Sequence, residues 1–480
     1  MKKAFAVTLA ALMLLIPLVS CSDSADVNGK TTDTAEGTGD TSAAVNTVEE
    51  AEEALDIPDG VDYEDYVFTM LCHTDVWYNY GTTDWDEPSD DLREQALYER
   101  GLAVEDLLNV TIDMYQTNIG GDVYSIFKND ADSGLYTYDI VFNSTDYQCT
   151  AVTGGYCYNI DEIEYIDLDK SWWNADCTEQ LSIGGNHYMV SGDIAVSDKE
   201  CTWVVYFLKD LLAAVGITES PYDLVKSGEW TWDKMYSMAS VAGFDTNGDG
   251  YLDTSDRFGL TTHNESYAAS WQSAGLKLVT TDSDGIPQIS WGTDEFFEVY
   301  EKIKNILDDS DVVYCNNDSF TQSALLTEQT LFLAMDISLA RDYRESEYEF
   351  GIVPYPKYSE DIDRYYSYMT LSSCTMVVPI TCSNTERTGI ITEALAYYGQ
   401  EYITPAYYDV QLKARYSRDE ESQEMLDIIF TYRAYDLGVF FDWGGAYSSL
   451  VAGSGNPATL YASLQKAISK AIEKSLSGIS

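Results

Sequence analysis

Val67-Phe68-Thr69-Met70-Leu71-Cys72-His73 is a short, apolar, β-favouring run, and the order of elements after it decides the fold. An acidic loop from Asp84 to Asp91 leads to a helical pattern at Leu92 to Leu108 and a strand pattern at Val110 to Met114. A second helical stretch near Val123 to Asp130 then runs into Tyr138-Asp139-Ile140-Val141-Phe142. Strand, helix, strand, helix, strand with short connections predicts a parallel sheet with right-handed crossovers, an α/β fold. Ligands of such sheets lie beyond the carboxyl ends of the strands, so His73 to Trp77 and Asn143 to Asp146 become candidate ligand loops.

Outward from this stretch the alternation pauses and resumes. Thr202-Trp203-Val204-Val205-Tyr206-Phe207 reads as a strand, followed by a helix at Lys209 to Val215 and another from Thr231 with Asp233 in its first turn. Strand patterns at Phe258 to Thr261, Thr330 to Asp336 and Phe350 to Pro354 flank a helical pattern at Thr293 to Leu307, which predicts a second α/β lobe. Met369 to Ile380 reads as sheet again, and helices dominate afterwards at Thr388 to Tyr397, Glu421 to Tyr435 and Leu460 to Leu476. Two lobes also suit 480 residues, because single cores stop growing at roughly 250 to 300.

The N-terminus carries processing information. Lys2 and Lys3 precede an apolar stretch from Ala4 to Val19 that reads as a secretory h-region and stops at Leu18-Val19-Ser20-Cys21. That ending resembles a bacterial lipobox, which makes residues 1–20 a signal peptide and Cys21 the expected lipidation site. Residues 21–60 carry many acids and no aromatic side chain, the composition of a flexible tether. The whole chain has 81 acids against 27 bases, and residues 61–480 alone keep 70 against 24. Nucleic acid is thereby excluded as a partner, since phosphate binding needs clustered cations.

The sharpest local motif is Asp245-Thr246-Asn247-Gly248-Asp249-Gly250-Tyr251-Leu252-Asp253-Thr254-Ser255-Asp256. Asp245, Asn247, Asp249, Asp253 and Asp256 fall at the side-chain positions of an EF-hand-like calcium loop, the Tyr251 carbonyl at position 7 and glycine at position 6. A structural Ca2+ is the expectation; a metal-free Asn- and Gly-rich turn is the alternative. Aspartate replaces glutamate at the last position, and its shorter arm weakens bidentate coordination.

Other chemistry is sparse. HExxH, GxSxG and phosphate-loop motifs are absent, and the three histidines are His73, His187 and His263. Eight cysteines come after Cys21, with Cys149–Cys157 and Cys177–Cys201 as local disulfide candidates or else free thiols. Trp77, the pair Trp172-Trp173 and Trp443 each stand near acids, a combination suited to the faces and hydroxyls of sugars, although core packing explains any one of them equally well.

YIDLDKSWW at 165–173, PYDLVKSGEWTWDKM at 221–235, DTNGDG at 245–250 with DRFGL at 256–260, FGIVPYPK at 350–357 and PAYYDVQLKARYSRDEES at 405–422 resemble the extracellular solute-binding lipoproteins of bacterial ABC transporters, in particular their carbohydrate-binding branch. The resemblance implies a two-lobed periplasmic-binding-protein-like fold of type II, with an interlobe ligand cleft and a helical C-terminal region. The lobes would be 61–203 plus about 353–400, and 204–352 plus about 401–480, joined near Val204 to Tyr206 and Val353 to Tyr355. Phe207-Leu208-Lys209 departs from the Asn-Lys that relatives often carry after the crossing strand. The function implied is capture of a mono- or oligosaccharide by lobe closure and delivery to permease subunits, by a monomer lipid-anchored on the outer face of the cell membrane. Solute contacts are expected from Trp77, Trp172, Trp173, Trp271, Asp336, Tyr407 and Trp443. A secreted carbohydrate-active enzyme and a non-transport adhesion lipoprotein are the alternatives.

Overall fold

A computed structural model describes residues 53–73, 87–117, 120–343, 346–407 and 420–479. Cys21 and Trp77 lie outside the described residues. The strands are β1 (Tyr66–His73), β2 (Val110–Thr117), β3 (Ile140–Ser144), β4 (Trp203–Leu208), β5 (Phe258–Thr262), β6 (Val279–Thr281) and β7 (Pro287–Ile289). They continue as β8 (Val313–Cys315), β9 (Thr330–Asp336), β10 (Phe350–Pro354), β11 (Ser367–Tyr368), β12 (Cys374–Val377) and β13 (Arg433–Ala434).

The opening stretch folds as its pattern predicts. Asp91 caps the helix Leu92–Leu108 by accepting from the N–H groups of Arg93 and Glu94, and Asn109 ends it in the left-handed conformation at φ 49°. That one-residue turn delivers the chain directly into β2, in parallel register with β1 from Tyr66–Val110 to His73–Thr117. The first sheet has the order β12-β3-β1-β2, with only β12 antiparallel. The second has the order β10-β4-β9-β5-β8, in which β8, β5 and β9 are parallel and β4 alone is reversed, antiparallel to both its neighbours β9 and β10. β3, β4, β5 and β9 are buried along their whole lengths, as expected of central strands covered by helices on both faces.

Three expected boundaries shift. The chain does not return to the first lobe at Val353 to Tyr355: β10 ends on the second sheet, where Trp230 Nε1 donates to the Pro354 carbonyl at 2.9 Å and the Trp232 ring meets Tyr355 at 5.4 Å. Lys357 stays with the second lobe by bridging to Thr231. The return comes at Ser367–Thr370, where β11 pairs with β13, Met369 bridges to Thr202, and β12 then joins β3. The terminal helix Pro457–Gly478 also spans both lobes, since Tyr461 packs on Trp291 at 5.1 Å while the Ser475 hydroxyl meets that of Thr153 at 3.3 Å. Finally, the folded body starts before residue 61: Ser171 N–H donates to Glu53 at 3.0 Å, and Leu55 and Ile57 pack beside Leu107, Tyr397 and Tyr398.

Candidate functional site

Both lobes turn from strand to helix at the same place relative to their sheets. In the first, β3 ends on Ser144 and the helix Thr145–Thr153 begins at once. Asn143 braces the turn by donating to the Gly120 carbonyl at 3.0 Å and accepting from Ser144 N–H at 2.9 Å, and the Ser144 hydroxyl donates to Asp146 at 2.6 Å. In the second, β5 ends at Thr262 and the helix Ser266–Gln272 comes next. The His263 ring nitrogen Nδ1 lies 3.1 Å from the Glu265 N–H, which donates to it.

The segment that returns the chain to the first lobe joins these turns. Thr145 donates through its N–H and its hydroxyl to the Ser373 carbonyl, each at 2.7 Å, and Ser373 N–H donates to the Thr370 carbonyl at 2.9 Å. Thr370 and Tyr368 in turn hydrogen-bond Glu265, the Tyr368 hydroxyl at 2.8 Å, and Tyr368 lies 3.5 Å from the Tyr447 hydroxyl. Asp146 of one lobe and Glu265 of the other thus lie near each other where the lobes meet, with Tyr368, Tyr447 and Trp203 clustered beside Glu265. The Trp203 ring stands edge-on to Tyr368 at 5.3 Å.

Electrostatics follow from this partial enclosure. Burial pushes the Glu265 carboxyl up, opposed by its hydroxyl donors and reinforced by Asp146. Burial likewise raises Asp146, against the Ser144 hydrogen bond. His263 is pushed down to about 4 by burial, so near neutral pH it carries no charge. The Glu265 side chain keeps 16% of its surface exposed, enough for a solute to reach it. Two acids, three aromatic rings and a Trp203 Nε1 with no acceptor among the described residues suit a polyhydroxylated guest.

The residues expected to touch solute are buried where the structure describes them. Trp172 and Trp173 are buried, and their indole N–H groups donate to the two oxygens of Glu393, each at 3.0 Å. Trp271 is sealed against Phe296 and Tyr300, and Trp443 stacks on Phe441 at 4.5 Å while donating to Ser475 at 2.9 Å. Asp336 ends β9 opposite Trp203 and caps the short turn Ile337–Leu339. Tyr407 is 3% exposed. Of the loops named from the sequence, Asn143 to Asp146 does reach the junction of the lobes, through the Thr145 bonds to Ser373, whereas His73 is the last described residue of its loop. Glu265, Tyr368 and Tyr447 were missed. The strand-end rule applied to Phe258–Thr261 would have found Glu265.

The candidate calcium loop is closed at its base by a bridge between Phe244 and Arg257. Its acids cap their own backbone: Asp245 accepts from Gly248 and Gly250 N–H at 2.6 and 2.8 Å, and the buried Asp256 accepts from Thr246 and Asp253 N–H at 2.8 and 3.0 Å. Gly250 adopts φ +88°, which the sharp turn requires. The donors are all oxygen, as Ca2+ prefers, but among the described residues no three His, Cys, Asp or Glu side chains converge on a metal position. The local disulfide candidates are not formed: the eight described cysteines are free thiols, seven of them buried.

No protein-family model and no curated protein matches the chain. Solved structures do. The cyclic α-maltosyl-1,6-maltose binding protein of Arthrobacter globiformis aligns at a TM-score of 0.59 with 13% identity, over 85% of this chain and 99% of that one. The chain has the two-lobed substrate-binding-protein fold. An ABC substrate-binding protein from Listeria monocytogenes in complex with cycloalternan aligns at 0.54 with 12% identity, over 86% and 99%. UgpB from Mycobacterium tuberculosis, in complex with glycerophosphocholine, aligns at 0.55 with 14% identity, over 82% and 98%. The fold is thus found with cycloalternan in one protein and with glycerophosphocholine in another, so the fold by itself does not name a solute.

Proposed function

We propose that the protein captures a mono- or oligosaccharide between its lobes outside the cell and delivers it to the permease of an ABC transporter, without making or breaking a bond in it. The observation that carries this reading is the junction of the lobes: Asp146 follows β3 of the first sheet, and Glu265, which accepts from Tyr368, follows β5 of the second and lies near enough to feel its charge. A guest contacting both sides binds the closed form better than the open one, which is the condition for it to shift the hinge equilibrium. Cys21 would hold the chain at the membrane by its lipid, and the monomer would present its closed surface to the permease. Among the described residues no helix is long and apolar enough to cross a membrane.

Calorimetry of the exported protein against mono- and oligosaccharides and peptides, with calcium held constant, tests the capture. Saturable sugar binding is expected, and a labelled oligosaccharide should be recovered uncut; a silent screen sinks the reading. We also propose that Asp245, Asn247, Asp249, Tyr251, Asp253 and Asp256 hold a structural Ca2+. If the ion binds only the folded chain, excess calcium must raise the unfolding temperature over that in chelator, and identical transitions would remove the site.

A further inference from the structure

Besides the segments that cross between them, the lobes meet at a further place. A hairpin of the second lobe, made of β6 and β7, points its tip at a tight turn of the first. The hairpin is braced by its own tip: Asp282 accepts from the N–H groups of Asp284 and Ile286, each at 3.0 Å, and its N–H donates to the Ile286 carbonyl at 3.0 Å. Its stem belongs to the second lobe, because Leu276 N–H donates to the Trp271 carbonyl at 3.0 Å before β6 and the Trp291 ring meets Phe296 at 5.7 Å after β7. The facing turn, Ile183 to Asn186, is closed by a bridge between those two residues and belongs to the first lobe. Asn159 donates to the Asn186 side chain at 3.0 Å, and Val190 bridges to Met376 of β12.

Two hydrogen bonds join hairpin and first lobe. Gly184 N–H donates to the Gly285 carbonyl at 2.9 Å, and the Lys277 ammonium at the foot of the hairpin donates to Gln180 at 2.7 Å. The backbones approach so closely that a Cβ on Gly285 would lie 2.4 Å from the Gly185 nitrogen and 3.0 Å from its Cα, well inside van der Waals contact. Gly285, at φ +73°, is therefore required twice, by the turn and by the contact. Both bonds run from lobe to lobe, so a hinge rotation has to strain or break them.

We propose that the β6–β7 hairpin is a latch between the lobes: docked on Gly184 and Gly185 it favours the lobe arrangement described above, and it lets go when the hinge moves. None of its residues belongs to the candidate solute site. The latch thus biases the two-state equilibrium that a solute must shift, and sets how much of the solute's binding energy goes into moving the lobes; this last consequence rests on the interlobe capture argued above.

Two alanine substitutions separate the contact from the strain of the turn. Gly185 also has φ +73°, but a Cβ there meets nothing within 4 Å among the described residues, so Gly185→Ala carries the backbone strain alone and Gly285→Ala the strain and the clash. Hydrogen exchange of the Gly184 amide and small-angle scattering are measured on the exported chain without any solute. Gly285→Ala is expected to speed that exchange at least about tenfold over Gly185→Ala and to shift the radius of gyration, which Gly185→Ala leaves unchanged. Lys277→Met removes the other bond without touching the turn, leaves Gln180 the Tyr435 N–H as a donor, and should shift the radius in the same sense, which keeps the test open if Gly285→Ala fails to fold. If Gly184 exchanges alike in both alanine variants, or if neither Gly285→Ala nor Lys277→Met changes the radius, the contact does not hold the lobes and the latch is overturned. Because no solute is present, that result leaves sugar capture standing, just as a silent sugar screen leaves the latch standing.

Discussion

Glu393 and Glu265 are each held by aromatic donors, one inside the first lobe and the other where the lobes meet. Glu393 takes an indole N–H on each oxygen, from Trp172 and Trp173, and packs from the middle of the helix Thr385–Tyr398. Glu265 takes the Tyr368 and Thr370 hydroxyls and the Leu371 N–H and keeps part of its surface open. The first carboxylate is finished by its own chain and can only support the fold. The second is as well supplied with donors but stands partly open where the lobes meet, and an accessible carboxylate at such a junction is what a ligand can use.

The largest effect should come from breaking the sealed member. Glu393→Ala leaves two buried indole donors without acceptors, at about 1–3 kcal/mol each, so chemical denaturation should show a loss of about 2–5 kcal/mol with solute affinity unchanged in whatever folds. A loss below about 1 kcal/mol would mean that the two indoles find other partners.

pH sharpens the same contrast. Burial, partly offset by the Trp173 and Trp172 hydrogen bonds, pushes Glu393 up from an ordinary 4.5 to about 7. The folded chain therefore holds a proton that the unfolded chain has released. The stability this adds is complete below about 4.5 and is lost as pH rises through about 7, a change of about 3 kcal/mol. Asp139, Asp176, Glu200 and Asp436 are raised by burial too and act with the same sign. Unfolding temperature should rise on mild acidification, and Glu393→Gln, which cannot titrate, should flatten that slope.

Removing donors instead of acceptors separates the two regions by function. Trp172→Phe deletes one bond to Glu393 and should lower stability by about 1–3 kcal/mol without weakening solute binding. Tyr368→Phe deletes one donor to Glu265 and should weaken binding about tenfold, as expected for a lost charge-assisted hydrogen bond. Equal effects of both substitutions on affinity would erase the distinction between sealed and open sites.

Much of the fold was legible because apolar periodicity is local. β1, β2 and β3 and the helix Leu92–Leu108 appear where their residues place them. The return crossing was not, because FGIVPYPK reads as a strand end, and only the tertiary contacts of Trp230 and Trp232 show that Pro354 to Lys357 stays with the second lobe. The site was half legible. Asn143 to Asp146 follows from strand order alone, whereas Tyr368 and Tyr447 reach Glu265 across 103 residues or more, which no local pattern records. The tryptophans misdirect for a related reason: an acid near an indole in sequence has the same appearance whether its true partner is solvent, a sugar or, as for Trp172 and Trp173, a glutamate more than 200 residues away.

The smallest stability effect belongs to the open member. Glu265→Gln keeps an oxygen for the Tyr368 hydroxyl and removes a charge that burial and Asp146 both disfavour, so the two changes oppose each other. Denaturation should shift by less than about 1 kcal/mol in either direction. Set beside the cost of altering Glu393, a near-silent Glu265→Gln that still loses solute would separate a residue kept for binding from one kept for folding. A loss of several kcal/mol would instead place Glu265 in the hinge packing and move the ligand site away from the strand ends.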